Sequence, residues 1–245
     1  MLDLMGEGIR FIHVIFGFAG LAAFWVPIVT RKGGVNHVRF GRIFVWSAYV
    51  VLAGAALALG IRFVTLSGQG IGPEDNPGLY AFMIFLAYLT LVTFVTVRHG
   101  MTVLRHKRDP AAVGTSINAM LAYAAIVASA ALIAYALIVA PPNLILLLAL
   151  SPIGLGVGTG NLRYMRNPPA SPRAWMYEHL GAMIGAGIAF HTAFAVFGSS
   201  QLFDIGLEGW LAVIPWIAPA AIGIPATIIW TRHYRRQFGE LGDAA

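Results

Sequence analysis

The chain has no cysteine. That excludes disulfides, thiolate metal sites, iron–sulfur clusters and covalently attached c-type haem. Charge is almost as scarce: Asp, Glu, Lys and Arg make up 11% of the 245 residues, where a water-soluble domain carries about 25%. So few charges cannot dress a water-facing surface, so another solvent is required, and lipid is the natural one. Basic residues are also missing from the first nine positions, where Asp3 and Glu7 stand instead. A secretory leader wants a basic start and a small-residue cleavage site, so the first apolar segment is expected to stay in the protein.

What fills the chain is hydrophobic, 58% of it. Seven stretches approach the ~20 apolar residues that a membrane-spanning helix needs. They run over about 9–30, 42–64, 78–98, 112–139, 143–161, 177–200 and 209–231. Segments of ten alternating residues, the mark of a membrane β-barrel, are absent. The expected fold is therefore an all-α bundle of seven transmembrane helices in a single polytopic domain, 1–245.

Fourteen of the sixteen Lys and Arg residues fall in the first, third and fifth connections and the tail; only Arg10 and Arg62 lie elsewhere. The even-numbered connections and the N-terminus hold Asp3, Glu7, Glu74, Asp75, Asp204 and Glu208. Basic connections stay in the cytoplasm. The N-terminus is accordingly expected outside and the C-terminus inside, most simply in a bacterial inner membrane. With its cations explained by topology and no nucleic-acid motif present, no nucleic-acid partner is expected. The bilayer is the expected partner, and the basic loop Arg31–Arg42 is expected to touch anionic headgroups.

Small residues mark where transmembrane helices approach closely. Gly181, Gly185 and Gly187 lie on the sixth span, and Gly154, Gly156, Gly158 and Gly160 follow Pro152 on the fifth. Close packing is the plain reading. The other is a locally broken helix lining a transport cavity. Pro215, Pro219 and Pro225 predict kinks in the seventh span, and the tryptophans predict interfacial anchoring.

Seven histidines remain, and ionisable residues at membrane depth are costly and often functional. His13 and His191 fall in the outer halves of the first and sixth spans. His37, His99 and His179 fall at the inner boundary. Imidazole ligates metals and haem iron, and glycines nearby leave room for a macrocycle. Gly17 follows His13 by one turn and Gly187 precedes His191 by one turn. The outer set His13, His191, Gly17 and Gly187, with His179 and His99 at the inner level, is thus a candidate for b-type haem. His37, His99 and His179, with Glu178, form a candidate site for another metal such as zinc, although no HExxH motif is present. His179 and His191 are twelve residues apart, about 120° around the helix at ~100° per residue, so they face different neighbours unless the helix kinks.

The segment from His13 to Gly60 resembles a family of bacterial membrane proteins that carries a domain-of-unknown-function label. The resemblance rests on His13, Gly17, the run Thr30-Arg31-Lys32-Gly33-Gly34, His37, Gly41 and Arg42, about a fifth of the chain. It implies membrane residence. A looser similarity, of residue type, is to histidine-ligated b-type membrane cytochromes. It implies electron exchange with a quinone or with other membrane subunits. A small-solute transporter, an accessory subunit of a membrane complex and an intramembrane zinc hydrolase are the rival expectations.

Overall fold

A computed structural model describes residues 2–198 and 213–241, with side chains from residue 6. The positions 199–200 and 209–212, which the sequence assigns to the ends of two spans, lie outside the described residues. The helices are α1 (Leu2–Val29), α2 (Val35–Gly68), α3 (Pro77–Arg105), α4 (Ser116–Val139), α5 (Leu144–Leu150), α6 (Pro152–Arg166), α7 (Ala174–Ala193) and α8 (Ile214–Gln237). A short 3-10 turn precedes α4, a π turn (Phe194–Gly198) extends α7, and the described residues contain no strand. With α5 and α6 taken as one span, seven helical segments are long and apolar enough to cross a membrane. The protein is an all-α integral membrane bundle.

Most spans run further than their apolar cores, α2 and α3 furthest towards the histidines. Lipid excludes charge, so the sequence reading stops each span at its first cation, yet a helix can continue into the headgroup region. Helix α2 starts at Val35 and carries His37, Arg39 and Arg42; α3 runs on to Arg105 and carries His99. His37 and His99 therefore stand on helix, beyond the apolar cores, as His179 does on α7.

Helix α3 is the centre. Phe85, Tyr88, Val92 and Val95 pack on Ala125, Leu132 and Ala136 of α4 and on Leu147 of α5. Nearer its C-terminal end, Val97 joins a second cluster with Phe24 of α1, Phe44 and Ala48 of α2, and Ala186 and Phe190 of α7. Helix α8 lies outermost, against α7, and buries no residue. Large apolar side chains such as Phe11, Trp46, Ile138 and Ile222 point outward, as a lipid-facing surface requires.

Lipid tails give helices no hydrophobic drive to associate, so close van der Waals approach takes its place. A Cβ on Gly154 would stand 2.8 Å from the Ala125 carbonyl, and one on Gly158 2.5 Å from that of Ala122. Gly154 and Gly158 are therefore the packing face of the fifth span against α4, while Gly156 and Gly160 face open space. The span does break, at Ser151. Pro152 brings no N–H, and an interrupted helix at membrane depth must satisfy its polar groups internally. The Tyr88 hydroxyl donates to the Ser151 carbonyl (2.6 Å) and accepts from the Gly154 amide (2.8 Å), and Ser129 Oγ donates to the same carbonyl.

Contacts tie the basic segments into one end of the bundle. Lys32 lies over the Trp230 ring and Lys107 over that of Trp175, while Glu240 at the foot of α8 bonds Ser171 and Tyr177. The opposite connection, between α2 and α3, is an ordered turn: Asp75 accepts from the Gly72 amide, and Tyr80 donates to the Ile71 carbonyl. Beneath it lies an apolar cleft of about 820 Å³ between α2 and α3, lined by Gly60, Phe63, Tyr80 and Met83.

Candidate functional site

The α1–α2 hairpin explains why a polar run is built into this membrane protein. Helix α1 ends at Val29, and its last carbonyls have no partner within the helix. Gly33 takes a positive φ of 75° to turn the chain. That turn brings Lys32 back to donate to the Pro27 and Ile28 carbonyls, both at 2.7 Å. A cation here also suits the negative end of the helix dipole, and burial holds the Lys32 ammonium below the ordinary lysine value. One turn into α2, His37 Nδ1 reaches the same Pro27 carbonyl at 3.3 Å.

Helices α3 and α7 meet at Gly100. A Cβ there would stand 2.7 Å from that of Ala182, so only glycine permits the crossing. The close approach places two consecutive residues of α7 against two of α3. His179 Nδ1 bonds the Gly100 carbonyl at 2.9 Å, and Glu178 Oε2 lies 3.4 Å from His99 Nε2. His99 is almost fully buried, its ring edge-on to Tyr164 of α6 with centroids 5.7 Å apart. The Tyr164 hydroxyl is buried and has no hydrogen-bond partner among the described residues.

The inner candidates His37, His99, His179 and Glu178 are thus gathered at one end from α2, α3 and α7. His37 and His179 each spend Nδ1 on a main-chain carbonyl, which leaves Nε2 without a hydrogen bond among the described residues. His99 and Glu178 are joined to each other. No group of three or more His, Asp or Glu side chains is arranged to hold a metal ion among the described residues.

The outer candidates are not brought together. His13 lies against the backbone of Val51 and Gly54 on α2. His191 faces α1, its Nδ1 on the Gly187 carbonyl at 2.7 Å and its Nε2 accepting from Trp25 Nε1 at 3.1 Å. Packing of Gly20 against Phe190 and of Phe18 against Phe194 fixes the antiparallel register. That register sets His191 level with about Gly20, seven residues or roughly 10 Å along α1 from His13. The space that Gly187 leaves is filled by the Phe24 ring, while around Gly17 there is no heavy atom where a Cβ would stand. The gap expected for a macrocycle beside His191 is therefore occupied by protein.

No protein-family model, no curated protein and no solved structure matches this chain. The reading of the site rests on its own geometry.

Three participants had no signal in the sequence pattern. Tyr164 is one aromatic residue among many on apolar helices. Trp25, expected as an interfacial anchor, is the hydrogen-bond partner of His191 while remaining half exposed. A third, Pro27, acts through its carbonyl, which side-chain patterns do not report.

Proposed function

We propose that this integral membrane protein binds a transition-metal ion at the basic end of its bundle, through Nε2 of His37 and His179, and serves as a membrane redox protein. One observation carries the reading. Two imidazoles from different helices, at the same end of the bundle, each anchor Nδ1 on a main-chain carbonyl, the arrangement that fixes tautomer and ring direction in metal-ligating histidines. Imidazole donors without thiolates suit iron, copper, nickel or zinc. Two protein ligands would leave the remaining positions to water or an exogenous ligand, and the His99–Glu178 pair at the same end of the bundle would supply acid–base groups. In the same reading the basic end lies in the cytoplasm of a bacterial inner membrane, with the N-terminus outside.

The purified full chain, in detergent, tests this directly by metal mass spectrometry and absorbance. The expected result is about one metal per chain, lost in the His37→Ala/His179→Ala variant and kept in His191→Ala. A Soret band would identify the metal as haem iron. A folded protein that stays metal-free and colourless after incubation with iron, copper and zinc would overturn the proposal. The transport reading draws no comparable support, because two of the four glycines that would serve as its hinge, Gly154 and Gly158, are packed on the α4 backbone.

A further inference from the structure

Beside α8 at the basic end lies a cavity of about 490 Å³. Arg232, Arg235 and Arg236 line its lower part, Thr227 and Ile228 its upper part, and Leu241 closes its foot after the chain turns at Gly239, φ 68°. From Thr227 to Arg236 is nine residues of helix, on the order of 13 Å along the axis. The cavity therefore runs from apolar membrane depth into the headgroup region. Trp230, beneath the Lys32 ammonium, marks the level between them.

Arg232, Arg235 and Arg236 stand within about one helical turn at the exposed foot of α8, beside a groove that their stems help to line, and three cations this close repel one another unless an anion sits near them. The carboxylate nearest in the chain, Glu240, is committed elsewhere: it accepts from Ser171 and Tyr177 and pairs with Arg173 at 3.6 Å. None of the three arginines makes an ion pair among the described residues. Arg235 lies over the Tyr177 ring at 4.8 Å. Planar guanidinium forks match phosphate oxygens.

We propose that this recess binds the headgroup phosphate of one anionic phospholipid, with an acyl chain running up beside Ile228. The order of groups along the membrane normal favours a lipid over free phosphate, since phosphate alone would leave the upper part of the cavity unfilled. Basic recesses on the cytoplasmic side of membrane bundles recognise anionic headgroups in this way.

The test uses the full chain in detergent micelles carrying phosphatidylglycerol or phosphatidylcholine, with retained lipid counted by native mass spectrometry. Retention of one phosphatidylglycerol per chain is expected, with phosphatidylcholine lost. Arg232→Gln/Arg236→Gln should weaken retention about thirtyfold, and each single variant about fivefold. Arg105→Gln/Arg108→Gln removes the same charge elsewhere on the basic end and should leave retention unchanged. A thermal melt of each variant confirms that it is folded. Equal retention of both lipids, equal loss in the two double variants, or full displacement by an equal concentration of inorganic phosphate would each overturn the proposal.

Discussion

His179 and His191 sit on the same helix, twelve residues apart, and the protein treats them differently. His179 faces α3 and uses one ring nitrogen, on the Gly100 carbonyl. His191 faces α1 and uses both, one on the Gly187 carbonyl and one on the Trp25 indole. Their ~120° offset is what 3.6 residues per turn dictates, so the two belong to different helix pairs. An imidazole with both nitrogens bonded serves packing. One with a single anchored nitrogen is oriented and keeps a lone pair for chemistry. Under the proposed function, the two ends of α7 thus divide into a chemical end and a structural end.

Metal binding should break or sustain that division most sharply. Replacing His179 by Ala should weaken metal affinity about a hundredfold or more, measured by competition with a chelating indicator. Replacing His191 should leave it within about twofold. Equal losses would dissolve the distinction between the ends.

Packing comes next. Gly187→Leu drives a side chain into the Phe24 ring, which already touches Trp25, Phe44 and His191. Overpacking of this kind costs about 1–3 kcal/mol, read as a lower melting temperature in detergent. Gly17→Ala meets open space and should stabilise slightly, by up to ~1 kcal/mol, because Ala favours the helix. A silent Gly187→Leu would mean that the structural end of α7 is looser than its contacts indicate.

Removing the ring nitrogens of His191 should cost less than overpacking beside it. His191→Phe keeps the aromatic volume against Phe24 and gives up two hydrogen bonds. The Trp25 indole, half exposed, can turn to water or headgroups. A loss of roughly 1 kcal/mol is expected. A collapse of the fold would assign His191 more than a packing role.

The spans were legible because lipid leaves one pattern: about twenty apolar residues bounded by cations. The inner cluster was partly legible for the same reason. His37, His99 and His179 stand beside those boundary cations, so their shared level follows from the distribution of charge. What the sequence left open was direction. Whether His13 meets His191 depends on the packing order of α1, α2 and α7, set by contacts such as Gly20 on Phe190 and Gly54 on His13. Small residues occur on nearly every span, so they announce close approach without naming the partner. The filling of the Gly187 gap by Phe24 was hidden because a glycine before a histidine looks the same whether its space holds a ring of the protein or a ligand. The break at Ser151 was flagged by Pro152, but its satisfaction by Tyr88, 63 residues away, was not.

The smallest effect is a pH dependence confined to the chemical end. Glu240 clasps the foot of α8 to the start of α7. Burial favours its neutral form, but hydrogen bonds from Ser171, Tyr177 and Arg173, and the Arg173 charge, outweigh that and hold the carboxyl below the ordinary glutamate value. A carboxylate with a depressed folded value adds stability in full above its unfolded value and loses it as pH falls through the folded one. Acidification should therefore loosen the clasp while the His191 end, which has no carboxylate bond among the described residues, stays unchanged. The contribution is that of one partly exposed ion-pair cluster, about 1 kcal/mol or less. Because other carboxyls titrate in the same range, the measurement is the difference in melting temperature between the wild type and Glu240→Gln, followed from neutral pH downward. The difference should be largest near neutrality and vanish in acid. A constant difference, or one that grows in acid, would show that Glu240 holds α7 by its shape and not by its charge.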